Sequence, residues 1–174
     1  TYYTLDGTDP RLPGGAISPD ARVASEGAAS LTLLASEADV RVLVPTNGTL
    51  GLSWTAIDFD DGGWIAGQTG VGYERGTGYE DLIGTDVEAQ MDGINASVYL
   101  RIEFDVEDPA NLHFLNLLMK YDDGYVAYLN GERVAARNAP GDLQWNSDAT
   151  TSHLDSDARV FEAFDLTDRI ELLR

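Results

Sequence analysis

From Ser97 to Val106 the chain reads SVYLRIEFDV, with Val98, Leu100, Ile102, Phe104 and Val106 falling at every second position. Successive side chains of an extended strand point to opposite faces, so this spacing turns one apolar face toward a core. No stretch of the sequence keeps an apolar period of 3.6 residues for three turns. Gly, Pro, Asn and Asp clusters instead break the chain into short runs of Val, Leu, Ile, Tyr and Phe. This pattern predicts an all-β fold of short strands, arranged as a β-sandwich, with strand exceeding helix several-fold.

The expected strands are Tyr2–Leu5, Leu31–Leu34, Val40–Val44, Gly70–Tyr73, Val98–Val106, Leu112–Tyr121, Tyr125–Leu129, Arg133–Ala136 and Val160–Asp165. Leu112–Tyr121 is the most continuously apolar and reads as a central strand. Asn130-Gly131 lies between two of these runs, and Asn-Gly suits the two positive-φ positions of a type I′ hairpin turn. A two-residue loop there sets Leu129 opposite Glu132, Tyr128 beside Arg133 and Ala127 opposite Val134. Single helical turns fit at Asp58–Trp64, Asp108–Leu112 and Asp168–Arg174.

Composition changes near residue 29. Before it stand Pro10, Pro13 and Pro19 among Gly, Ala and Ser, with little apolar periodicity. Residues 1–29 therefore read as the end of an upstream module plus a linker, and residues 30–174 as one β-sandwich domain.

Charge narrows the partners. Thirty acidic residues against eleven basic ones give a net charge of −19. Such a surface repels phosphate, which excludes nucleic acid, and it disfavours anionic lipid. No apolar run reaches 18 residues, so no membrane insertion is expected. It remains heavily hydrated by self-repulsion and fits an extracellular or cell-surface setting. With no Cys and two His, disulfides, thiolate zinc and all-histidine zinc sites are excluded.

Several phrases carry a resemblance. YYTLDGTDP (2–10) resembles the hairpin motif of a chitobiase/β-hexosaminidase C-terminal module. FDDGGW (59–64), GVGY (70–73), SVYLRIEF (97–104), YDDGYVAYLNGERVAARNAPG (121–141), WNSDATTSH (145–153) and FEAFDLTDRIELL (161–173) resemble a galactose-binding-like, jelly-roll β-sandwich of large secreted bacterial proteins. The resemblance implies a sandwich with little helix, in which a last strand would follow Leu172-Leu173, and other domains of the same polypeptide as neighbours. It also implies a non-catalytic accessory module, most plausibly carbohydrate-binding. The alternative is a structural spacer or adhesion module without a small-molecule ligand.

Candidate sites follow from chemistry. A sugar needs an aromatic face for its C–H groups and planar polar groups for its hydroxyls. Trp145 sits in the polar stretch GDLQWNSD, so Trp145 with Asn146 and Asp148 is the first choice, and Tyr79 the second. Trp64, Tyr99 and Phe104 read as core. The negative charge points to neutral or basic sugars. Asp58, Asp60 and Asp61 crowd one loop and could hold a structural Ca²⁺, although no acid lies eleven residues after Asp58, so this is not an EF-hand. The preferred reading of the same loop is a turn capped by Asp side chains in front of a buried Trp64. Asp122-Asp123-Gly124 reads as a tight turn with Gly124 at positive φ. His113, inside an apolar run, reads as a strand residue. His153 lies beside Ser152 and Asp155 without a nucleophile elbow, and no phosphate-binding loop occurs, so no catalytic residues are assigned. Asn47-Gly48-Thr49 and Asn95-Ala96-Ser97 match the N-glycosylation sequon by chance.

Overall fold

The computed structural model describes residues 2, 3, 9, 12, 14, 16–18, 22, 23 and 30–174. The chain divides into two units, Thr1–Thr32 and Leu33–Arg174. In the first, β1 (Tyr2–Tyr3) pairs antiparallel with β2 (Arg22–Val23), Tyr2 opposite Val23. The rest of the expected strand Tyr2–Leu5, and most of the phrase 2–10, lie outside the described residues.

The second unit is all-β, with short helical turns between strands. Its central ladder has the order β4–β3–β7, formed by β3 (Asp39–Leu43), β4 (Ile65–Gln68) and β7 (Tyr99–Arg101). β3 pairs antiparallel with both neighbours, so Val42 faces Ile65 on one side and Leu100 on the other. Val40 and Val42 are buried on one face of β3 and form one core cluster with Val87, while Val106, Ala158, Phe164, Leu166 and Leu173 are buried as well. Val44, Val71, Tyr73, Met91, Val98 and Ile102 pack around the Val40–Val42–Val87 cluster.

β5 (Val71–Gly72) runs parallel to β6 (Thr85–Asp86), and the short helix α1 (Glu88–Met91) follows. The approach is close. Gly70 has φ +82°, its carbonyl accepts from the N–H of Gly84 at 2.8 Å, and a Cβ on it would run into the Leu82 carbonyl oxygen. Only glycine satisfies both demands.

β8 (Asn116–Met119) pairs with β11 (Glu162–Asp165), and β9 (Tyr125–Leu129) with β10 (Glu132–Arg137); α2 (Asp155–Ala158) precedes β11. Asn130 (φ +49°) and Gly131 (φ +91°) close the β9–β10 hairpin as a two-residue loop. Leu129 faces Glu132 and Tyr128 faces Arg133 as expected. A bulge then sets Ala135, not Val134, opposite Ala127.

Other expectations are corrected. Residues 31–34 form bends without a ladder, and Leu31 is 68% exposed. Leu112–Tyr121 is not a central strand. Only Asn116–Met119 pairs, in a two-stranded ladder, with Phe114 and Leu118 about half exposed. Its continuous apolar run covers both faces, and only one of them, with Leu117 and Met119, is turned inward. His113 is exposed and lies outside the strand. Among the described residues strand accounts for 24% and helix for 15%, a smaller excess than expected. The difference comes from four 3₁₀ turns, at Ser53–Thr55, Glu80–Leu82, Pro109–Asn111 and Thr167–Leu172. Two of these fall at expected turns, whereas Asp58–Trp64 is non-helical. Among the described residues no helix is long and apolar enough to cross a membrane.

Candidate ligand-binding hollow

Three loop regions hold the residues singled out in the sequence. The first is the acidic loop 58–64, which packs over the face of β7 that carries Tyr99 and Arg101. Arg101 is nearly enclosed, with 10% of its side chain exposed. Its Nε donates to Asp61 Oδ2 at 2.7 Å, and its Nη1 donates to the carbonyls of Trp54 (2.6 Å) and Ala56 (2.9 Å). A longer contact from Nη2 reaches the Phe59 carbonyl at 3.5 Å. One guanidinium thus gathers the oxygens of a whole loop, which its planar fork of donors allows. Asp60 Oδ1 accepts from the Gly62 N–H at 3.0 Å, and Asp58 is exposed. Among the described residues no three acidic or histidine side chains converge on a metal position. With Asp61 committed to Arg101, this loop is a poor fit to a Ca²⁺ shell of six to eight oxygens.

Aromatic rings complete that region. Trp54 stacks on Tyr99 (centroids 4.5 Å apart, 12° between planes) and meets Tyr128 edge-on at 5.8 Å. Trp64 packs edge-on against Phe59 at 5.7 Å and is half-buried rather than buried. Tyr99 and Phe104 are likewise half-buried.

The second region surrounds Asp122. The Tyr79 hydroxyl is buried, faces the Asp122 carboxylate and makes no hydrogen bond of ordinary geometry. Burial, and then the Asp122 charge, push its pKa up to about 12. The pKa of Asp122 is itself raised, first by desolvation and further by Asp123 and Asp155. Asp123 Oδ1 accepts from the His153 N–H at 2.8 Å, and the His153 ring stacks on Tyr121 at 4.2 Å. Gly124 does not take positive φ. It is glycine for space, since a Cβ would lie 2.8 Å from the Arg137 carbonyl oxygen. Tyr79 is therefore held against an acidic turn.

The third region joins the segment after α1 to residues 145–148. Asn146 Oδ1 accepts from the N–H groups of Ala96 (2.8 Å) and Ser97 (3.1 Å). Ser97 Oγ donates to the Ser147 carbonyl at 2.8 Å, and the Tyr99 hydroxyl donates to the Trp145 carbonyl at 3.0 Å. Trp145 is half-buried, and its ring lies so close to Gly48 that a Cβ there would sit 3.0 Å from Cδ1. The indole is used in packing this joint.

Beside the joint opens a hollow of about 330 Å³, lined by Tyr73, Met91, Gly93, Ile94, Asn95, Ala96, Asn146 and Asp148. It contains Asn146 and Asp148 of the expected site; Trp145 and Tyr79 are not among its lining. Both N–H donors facing Asn146 reach its Oδ1, which leaves its amide N–H₂ to offer. Asn95 Nδ2 donates to the Gln90 carbonyl at 3.3 Å, which leaves its Oδ1 as an acceptor. Ile94, 66% exposed, supplies apolar surface with Met91 and the Tyr73 ring. Sequence reasoning missed Tyr73, Ile94 and Asn95. The one signal was Asn95-Ala96-Ser97, a polar break directly before the alternating strand, taken only as a chance sequon. Comparison with protein-family models, with curated proteins and with solved structures finds no match for this chain.

Proposed function

We propose that the second unit is a non-catalytic carbohydrate-binding module of a secreted or cell-surface protein, and that the hollow between Tyr73, Asn95 and Asp148 is its site. A single observation carries this reading. One open hollow combines apolar side chains (Tyr73, Met91, Ile94) with a free amide donor, a free amide acceptor and a carboxylate. A pyranose presents the complementary set, an apolar C–H face ringed by hydroxyls that both donate and accept. The all-β fold and the jelly-roll resemblance fit the same reading, as does an acidic, strongly hydrated surface.

The test is a glycan array followed by isothermal titration of its hits into wild type and an Asn95→Ala/Asp148→Ala variant. Binding by wild type that is lost in the variant supports the reading. Absence of binding to any glycan favours a structural spacer or adhesion module instead.

A further inference from the structure

We infer that the hollow selects amine-bearing sugars, of the glucosamine type, over neutral ones, with Asp148 as the group that recognises the ammonium. This rests on the carbohydrate reading above and narrows it to a substrate class.

The argument is one of charge within the hollow. Its eight lining residues include one carboxylate and no Lys, Arg or His. Asp148 is exposed and, among the described residues, forms none of the ion pairs. Arg75, the cation nearest in sequence to Tyr73, is held by Asp92 at 3.0 Å, so that pair brings no net charge to the rim beside Gly93. A ligand ammonium thus meets an uncompensated carboxylate at Asp148. The neutral groups Asn95 and Asn146 bind hydroxyls whether or not the sugar carries an amine. A net charge of −19 adds a long-range field that concentrates cations and repels uronates and sulfated chains.

The experiment compares a chito-oligosaccharide with free amines and its fully N-acetylated counterpart, at about pH 6, below the usual α-amino pKa of about 7.7–8.0. Both are titrated into wild type and Asp148→Asn, in low salt and in high salt, after equal melting temperatures show that the variant is folded. We expect the amine form to bind wild type about five-fold tighter in low salt. The preference should shrink below about two-fold in Asp148→Asn and in roughly 0.5 M salt, as for an exposed ion pair. Equal affinity for the two sugars, or a preference unchanged by Asp148→Asn, overturns the inference and leaves the carbohydrate reading intact. Absence of binding by both sugars also overturns the inference, and the carbohydrate reading is then decided by the glycan array.

Discussion

Arg101 Nε meets Asp61 Oδ2 at 2.7 Å, with only 10% and 15% of the two side chains exposed. The pair fastens a loop that starts at Trp54 to the end of β7. Asp61 also lies 4.0 Å from Arg41 on the neighbouring strand, so a single carboxylate sits between two guanidinium groups on adjacent strands. In Asp58–Asp61 the charge partner that a cluster of carboxylates demands is an arginine of the chain itself.

Arg101→Ala should therefore cost about 3–5 kcal/mol, because it leaves Asp61 with only the 4.0 Å contact to Arg41 and two loop carbonyls without a donor in a mostly enclosed space. Arg101→Lys should recover less than half, since an ammonium cannot span oxygens placed for a planar fork. Urea unfolding measures both. A loss under about 1 kcal/mol for Arg101→Ala would show that the pair is solvated.

Thermal unfolding in millimolar Ca²⁺ and in EDTA should coincide. A ligand bound only to the folded state raises the melting temperature by mass action. Asp61 is already neutralised, and Asp60 is spent on the Gly62 N–H. A rise in melting temperature with Ca²⁺ would return Asp58, Asp60 and Asp61 to the role of ligands.

The legible part of the sequence was local. Period-2 spacing at residues 98–106 points Ile102 and Val106 inward, but only Tyr99–Arg101 pairs as strand and Leu100 of the same face is 38% exposed; Asn130-Gly131 marks the hairpin turn where it forms. Burial of the opposite face was not legible. Tyr99 reads as core, but nothing in residues 97–106 reveals that Trp54 and Asp61, about forty positions upstream, are what cover Tyr99 and Arg101. The same limit hid the hollow. Asn146 and Asp148, which line it, stand beside a Trp in a polar stretch that the sequence displays. Tyr73 and Asn95 reach the same place through packing between distant segments, which has no local signature. Trp145 stands among polar residues, yet its own carbonyl accepts from Tyr99 of β7 and its ring packs at Gly48.

Glycine at position 70 is a steric requirement. Gly70→Ala should cost about 2 kcal/mol or more, from positive φ together with the Leu82 carbonyl in the path of a new Cβ. Gly72→Ala, two residues on, meets open space and should cost less than about 1 kcal/mol. Equal melting temperatures for the two variants would contradict this account of the β5–β6 approach.

Alkaline pH should unfold the domain through its tyrosines. Burial holds the pKa of Tyr79 and Tyr125 up to about 12, against about 10 in an unfolded chain; Arg137 opposes the shift at Tyr125, and Glu162 and Tyr121 add to it. Between those values the unfolded state loses protons that the folded state keeps. Stability is therefore complete below about pH 10 and falls as pH rises toward 12. Tyr125→Phe should flatten that fall. At neutral pH it should leave the melting temperature unchanged or higher, because the hydroxyl is buried without a hydrogen-bond partner. A variant that is clearly less stable at pH 7 would mean that the hydroxyl has a partner in solution.

The most direct measurement is amide chemical-shift mapping of the nitrogen-15-labelled protein during titration with a chito-oligosaccharide. Binding at the hollow predicts that the largest shifts cluster at Tyr73, at residues 91–96 and at Asn146 and Asp148, with little change around Tyr79 and His153. Shifts that cluster elsewhere, or a spectrum unchanged at saturating sugar, would contradict the assignment of this hollow as a carbohydrate site.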